Sequence, residues 1–373
     1  MKETSKNFKK TIVFFLKDLN MGGAEVFIVQ LSNYLLGKNY KVKILTVSGI
    51  KDLPHHIDKR IELKSLEKNT TREAIFELLS FFRKNDFDIF VANVWPLTFL
   101  ASLANLFSLR KKSILIEHGV LSKNFENESS FFKFLHNLSI LVFHNLSSKV
   151  IAVSNAIKKD LIKKGVSQKK ITTIYNSFRK LPTTNESGLS FADWTDFSGL
   201  KLISIANLKP EKNLFSLLRA QEILQNKFNV KTKLLVIGDG PEKEELKAAA
   251  FKMQISENVI FSGFVNNPYP YLNRADILVL SSENEGFGIS IIEGLSLGKT
   301  IVSTNCEGPS EIINEKGLGF LCRKNDDLDL AKTILLASKS SPDKNKLLLR
   351  SKDFSIENIG AQYEDLLEEI SAK

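Results

Sequence analysis

Cysteine is scarce in this chain. Two residues, Cys306 and Cys322, occur among 373. That is too few for a disulfide framework or a cysteine metal site, and it fits a reducing cytosol. Long apolar runs are missing too. No window reaches the ~18–20 apolar residues that a spanning helix needs. The charged opening, MKETSKNFKKT, offers no apolar stretch for a signal peptide. A chain of this kind meets a membrane only by lying on it. Gly238-Asp239-Gly240 lacks the third glycine of a dinucleotide fingerprint, which argues against a nicotinamide site. Two Asp-x-Asp triplets occur, but neither is expected to bind metal. Asp86-Phe87-Asp88 begins a strand, at the end away from where α/β sheets take ligands. Asp327-Leu328-Asp329 leads into a helix, whose first turn favours aspartate.

What is present is ordinary in amount and uneven in charge. Hydrophobic residues make up 43% and charged residues 25%, enough apolar material in this length for two cores. Residues 1–190 hold 30 Lys and Arg against 16 Asp and Glu, whereas 191–373 hold 22 against 26. The basic front half suggests an anionic surface as partner, with phospholipid the first reading and nucleic acid the second.

Short apolar runs alternate with helical spacing along the whole chain. Strands are expected at Thr11–Leu16, Lys41–Val47, Asp86–Ala92, Ser113–Glu117, Val150–Ser154 and Ile171–Tyr175, with helices among them at 24–37, near 130–145 and at Asn155–Lys164. The polar, turn-rich segment 181–199 reads as a linker. A second alternation follows, with strands at Lys201–Ala206, Thr232–Ile237, Asn258–Phe261, Ile277–Leu280 and Thr300–Ser303, and a helix at Ser310–Asn314. This is an α/β chain of two doubly wound domains, 1–180 and 200–354, whose carboxyl-end crevices are expected to face each other.

The most informative stretch is Ser281–Leu297, SSENEGFGISIIEGLSL. It follows the ILVL strand and opens a helix near Gly288. Such a helix start aims free amides and a positive dipole end at the ligand side of the sheet. Gly286 and Gly288 permit close backbone approach. Glu285 and Glu293, eight positions apart, bracket the helix start and can accept hydroxyl hydrogen bonds. Amides suit phosphate and carboxylates suit sugar, so the pair suits a nucleotide sugar; a plain strand-loop-helix with solvated acids fits the pattern equally well. Lys212, in NLKPEKN, stands just before another helix and can join its N-terminus against a diphosphate, or serve as a solvated surface charge. Gly22-Gly23 reads as a tight turn or as bare backbone near a phosphate. His118 closes the strand ILIE at its ligand end. His55-His56 reads as surface. The Phe- and Leu-rich segment 129–146, with Arg110-Lys111-Lys112 before it and Lys133 within it, fits a core helix of the front domain or an interfacial element on anionic lipid.

Taken in order, Met21-Gly22-Gly23-Ala24-Glu25, His118-Gly119, Ile151-Ala152-Val153-Ser154-Asn155-Ala156, Tyr175-Asn176, Lys209-Pro210-Glu211-Lys212-Asn213, Gly238-Asp239-Gly240-Pro241, Gly263-Phe264, Glu285-Gly286-Phe287-Gly288 to Glu293, and Gly308-Pro309-Ser310-Glu311 resemble the retaining family-4 glycosyltransferases of GT-B fold. The resemblance spans nearly the whole chain. It implies two Rossmann-like domains facing across a cleft, with a C-terminal helix, 355–373, returning to the front domain. It implies a nucleoside-diphosphate sugar donor, UDP-linked, with no cofactor and no metal, and a lipid-linked or polysaccharide-precursor acceptor. It also implies no nucleic-acid partner, and a cytoplasmic protein peripheral on the inner face of the membrane. Lys212 would neutralise the diphosphate, and the amides around Gly288 and Ile289 would hold the same phosphates. Glu285, Gly286 and Phe287 would grip the sugar, Glu293 the ribose, and Phe264 would line the base pocket. Gly22, Gly23 and His118 would reach the donor from the front domain. Asn207 departs from the pattern: the family usually has arginine there, five positions before the lysine, and its loss should weaken phosphate stabilisation. That departure keeps a non-catalytic member in view. A nucleotide-sugar epimerase or phosphorylase relative is the other alternative.

Overall fold

The computed structural model describes residues 8–19, 22–49, 57–107, 111–125, 128–178 and 191–372. Met21, His55-His56, Arg110 and the 181–190 part of the expected linker lie outside these residues. The chain forms two compact units, Met1–Ser177 with Ile356–Lys373, and Phe178–Ser355.

The first unit is built on a seven-stranded parallel sheet. Its strands are β1 Thr11–Leu16, β2 Lys41–Thr46, β3 Glu62–Ser65, β4 Ile89–Asn93, β5 Lys112–Glu117, β6 Lys149–Ala152 and β7 Ile171–Thr173. Their order is β3-β2-β1-β4-β5-β6-β7, so the chain winds outward from β1 and returns to wind the other way from β4. β1 and β4 are each buried along nearly their whole length, which explains why TIVFFL and IFVAN carry no polar alternation. Phe15, Phe82, Phe87 and Phe90 fill one side, with Phe82 and Phe90 ring centroids 4.6 Å apart.

The second unit repeats the plan with six parallel strands: β8 Leu200–Ile205, β9 Thr232–Ile237, β10 Val259–Gly263, β11 Ile277–Leu280, β12 Thr300–Thr304 and β13 Phe320–Cys322. Their order is β10-β9-β8-β11-β12-β13. The reversal of winding falls between β8 and β11, which pair directly through Ile277 with Leu202 and Leu278 with Ile203. Ligands of doubly wound sheets sit beyond the carboxyl ends of strands at such a reversal.

The last helix, Ile356–Ala372, packs within the first unit against the helix Gly23–Gly37. Tyr363 meets Phe27 with ring centroids 5.8 Å apart. A Cβ at Gly360 would stand 2.5 Å from the Tyr34 ring, so glycine sets how closely the helices approach. Lys112 donates to the carbonyls of Ile370 and Ser371, placing a cation at the negative end of the helix dipole.

Several elements differ from expectation. The edge strand β3 and the helix Ile75–Lys84 were not anticipated, because ELKS shows no apolar run. The helix expected at Ser310–Asn314 spans Glu307–Ile312, with Pro309 in its first turn, where proline costs no hydrogen bond. The segment 129–146 is a helix, Ser130–Leu146, but it is not a core helix: only Ile140 and His144 are buried.

Candidate functional site

Three loops meet at the carboxyl ends of β8, β11 and β12. After β8 the chain makes a tight turn at Pro210–Lys212 and passes through Asn213 in the left-handed conformation, φ 43° and ψ 51°. The Asn213 side chain accepts from the Ser216 amide at 3.3 Å and so caps the helix Leu214–Asn226. Its amide group also donates to Glu283 Oε1 at 3.2 Å, in the loop after β11. That loop is bound back along its length. The Glu283 and Asn284 amides donate to the Glu211 carbonyl at 3.0 and 3.4 Å. Ser281 Oγ donates to the Lys212 carbonyl at 3.0 Å. From the third loop, Thr304 Oγ1 and Cys306 Sγ both donate to the Ser282 carbonyl, at 2.6 and 2.9 Å. The Gly308 amide donates to the Glu285 carbonyl at 3.2 Å.

This lacing brings Lys212 Nζ to 2.6 Å from Glu285 Oε2. Both side chains are about four-fifths shielded, at 21% and 16% exposure. Burial works against the Lys212 charge, but the adjacent Glu285 carboxylate outweighs it and raises the ammonium above its usual pKa. Lys212 is therefore a fixed cation. Beside it, Gly288 adopts φ 107° and ψ 63°, a conformation that favours glycine, and opens the helix Ile289–Ser296. No side chain caps that helix start, so its amides point outward with the positive dipole end. Phe287 is buried with its ring 5.5 Å from that of Phe354, pinning the loop from beneath. Gly308 is needed for another reason: a Cβ there would stand 2.5 Å from the Phe287 backbone. Glu293 is 7% exposed, on the second turn of the same helix.

Asn207 lies exposed just past β8. Phe264 follows Gly263 at the end of β10 and leaves 52% of its surface open. Gly238-Asp239-Gly240 packs against the Ala206–Leu208 backbone: a Cβ at Gly238 would meet the Ala206 carbonyl oxygen at 1.9 Å, and Leu208 N donates to Asp239 O at 3.0 Å. These glycines serve backbone packing.

Gly22, Gly23 and His118 belong to the first unit. Gly22 is the extended residue preceding the helix Gly23–Gly37, beyond the end of β1. His118 follows β5, with Nδ1 3.5 Å from the Asn176 amide nitrogen. Its Nε2 is enclosed with no partner among the described residues. Burial pushes the imidazole down to about 4, so it is neutral near pH 7. The aspartate triplets are occupied by other work. Asp88 accepts from the Thr11 amide and Asp86 pairs with Lys111. Asp327 takes Ser216 and Arg219, and Asp329 accepts from the Arg323 amide. Among the described residues no group of three or more His, Cys, Asp or Glu is placed to hold a metal ion.

Residues 21–178 match the model of Glycosyltransferase Family 4, and residues 198–352 match that of Glycosyl transferases group 1. The chain belongs to the family-4 glycosyltransferases. A relative from Haemophilus influenzae, an uncharacterised glycosyltransferase, is 25% identical to this transferase over 372 residues, 96% of this chain and 100% of the relative. A Campylobacter jejuni protein named as an N-acetylgalactosaminyltransferase acting on a diphospho-undecaprenol glycan is 25% identical over 262 residues, 69% of each chain. Among solved structures, Anabaena HepE in complex with UDP-glucose matches with a TM-score of 0.78 at 20% identity, covering 96% of this chain and 100% of that one. Sucrose-phosphate synthase from Thermosynechococcus elongatus gives 0.78 at 16% identity, covering 98% and 100%. The transferase thus has the GT-B fold, with two doubly wound Rossmann-like units.

Several polar residues of the transferase escaped sequence reasoning. Ser281, Glu283, Asn213 and Thr304 lace the loops, and mostly engage main-chain atoms that no motif encodes. Glu117 is wholly buried beside His118, accepting from Thr98 Oγ1 at 2.8 Å and the Trp95 amide at 3.3 Å, with His144 Nε2 at 2.9 Å. A glutamate ending an apolar strand was the one available signal for it.

Proposed function

We propose that this transferase moves a sugar from a UDP-sugar to a hydroxyl of a lipid-linked or polysaccharide-precursor acceptor in cell-surface glycan synthesis, with retention of configuration. The observation that carries this reading is the Lys212–Glu285 contact beside an uncapped helix start, at the winding reversal between β8 and β11. Lys212 and the amides at Gly288 and Ile289 meet the diphosphate. A cation and preorganised amides stabilise charge that develops on the leaving phosphate as the sugar–oxygen bond breaks. Glu285, with the Gly286-Phe287 backbone, receives sugar hydroxyls and Glu293 receives the ribose. Phe264 offers an exposed ring to the base. In the first unit, Gly22 and Gly23 offer bare backbone beyond β1, and the neutral His118 offers a hydrogen-bonding partner without charge beyond β5. The departing phosphate oxygen takes the proton of the attacking hydroxyl on the same face as the new bond forms. Lys212 supplies the counter-charge that a metal would otherwise supply, in keeping with both aspartate triplets being engaged elsewhere. Uridine is favoured by the UDP and UDP-glucose complexes of Anabaena HepE, and a lipid-linked acceptor by the name of the Campylobacter jejuni relative. The site of action is the anionic inner face of the membrane.

Thermal melting with UDP, GDP and ADP tests the donor class. A nucleotide at 100-fold its dissociation constant adds about 2.7 kcal/mol of stability. UDP is expected to raise the melting temperature most, and UDP-sugars with membrane extract to give a glycosylated lipid. No shift with any nucleotide overturns the proposal and leaves a non-catalytic member.

A further inference from the structure

The helix Ser130–Leu146 has its polarity reversed. Its buried side carries Ile140 and His144, one turn apart, and the His144 ring contacts Glu117 under the sheet end. Its solvent side carries Phe131, Phe134, Leu135, Leu138, Val142 and Leu146, at spacings of three and four, between 40% and 66% exposed. A helix this apolar on the water side costs the hydrophobic free energy of each uncovered side chain. Such a stripe marks an interaction surface. At about 1.5 Å per residue the helix is roughly 25 Å long. No helix among the described residues is long and apolar enough to cross a membrane.

Charge identifies the occupant. The helix contains no acidic residue, and residues 129–170 hold eight lysines against a single carboxylate, Asp160. Asp160 is buried and taken by the Ser122 amide and hydroxyl. Lys164 lies directly against the helix, bonded to Asn137 Oδ1 at 2.7 Å. A second copy of the chain would bring the same lysine excess to the contact, which disfavours self-association. Phe and Leu on one face, with Lys133 on the helix, Lys164 against it and Lys170 at its end, is the pattern of a helix lying in an anionic lipid surface.

We propose that the helix Ser130–Leu146 seats the protein on anionic lipid, its Phe and Leu stripe among the acyl chains and the neighbouring lysines at the headgroups. The seat rests on the membrane-surface part of the function proposed above and names the residues that make it; the sugar chemistry does not enter. Glu117 ties the inner side of this helix to the strand end that bears His118, so the seat has a fixed relation to that residue.

The test uses the full chain with vesicles of phosphatidylglycerol and phosphatidylcholine, and with phosphatidylcholine alone. Native protein is expected to sediment with the anionic vesicles, more weakly with the neutral ones, and less as salt is raised. The combined substitution Phe131→Ser, Phe134→Ser and Leu138→Gln is expected to weaken partitioning about 100-fold or more. These side chains are exposed, so melting should be unchanged. In an otherwise native chain, Leu135→Trp should give an emission that shifts to the blue on anionic vesicles. Native sedimentation by the triple variant overturns the seat, as does indifference of the native chain to anionic vesicles. Concentration-dependent dimers abolished by the triple variant, without vesicle binding, also overturn it and make the face a contact between copies. Vesicle binding without UDP binding sinks the transferase proposal alone. UDP binding without vesicle binding sinks the seat and the membrane site of action and leaves the sugar transfer standing.

Discussion

The carboxyl ends of the two sheets are finished in opposite ways. Beyond β8, β11 and β12, three loops are joined by main-chain and side-chain hydrogen bonds around a lysine–glutamate pair. Beyond β1 and β5 stand an extended glycine and a neutral imidazole with a long polar contact to Asn176 and an edge contact to Phe27. Glu117, a wholly buried carboxylate of the first unit, engages its own scaffold. A cation acts on developing charge only when its carrier does not relax, which calls for a braced loop. A neutral hydrogen-bonding partner needs placement and enclosure but no such bracing.

Four substitutions can break or sharpen this contrast. Lys212→Ala should have the largest effect, lowering sugar transfer about 100- to 1,000-fold, the usual cost of removing a preorganised charge-stabilising group. The variant should stay folded, with a lowered melting temperature because Glu285 loses its counter-ion. A loss of less than about tenfold would mean that the braced side does not carry the chemistry. Gly308→Ala comes next. Its methyl would press on the Phe287 backbone, which cannot yield as a flexible side chain can. The expected outcome is about 1–3 kcal/mol of lost stability and a raised KM for donor. Gly22→Ala is the matching control, since its Cβ would meet the carboxylate end of the Glu25 side chain and no backbone atom within 4 Å among the described residues. It should cost under about 1 kcal/mol, and equal losses at both glycines would erase the contrast in rigidity.

His118→Gln should have the smallest effect, confined to acid. The imidazole lies at about 4 when folded against 6.5 ordinarily. Between those values the unfolded chain binds more protons, so the native protein loses stability as pH falls from about 6.5 toward 4. Urea unfolding near about pH 7 and about pH 5 should show a larger drop for native protein than for the variant. Parallel profiles would mean that His118 is not held neutral.

Much of this architecture was legible because buried parallel strands declare themselves as apolar runs. TIVFFL and ILVL needed no context, whereas the edge strand ELKS, only half covered, gave no such run. Lys212 and Glu285 are 73 positions apart, yet both follow strands that a doubly wound sheet sets side by side. Their proximity therefore follows from topology. The bracing around them was hidden, because main-chain carbonyls such as those of Ser282 and Glu211 receive most of the bonds. The helix Ser130–Leu146 is ambiguous for a different reason. Its apolar spacing fits a core helix or an interfacial element equally, and the structure turns that face outward, the inward face being the one that carries Ile140 and His144.

The seam at Gly360 has a consequence for synthesis. Because the helix Ile356–Ala372 completes the first unit, that unit lacks a wall until those residues leave the ribosome. The second unit is continuous from Phe178 to Ser355 and can reach its folded form while the first still waits. Nascent chains halted after Ser355 should therefore protect the later half from protease before the earlier one is sealed.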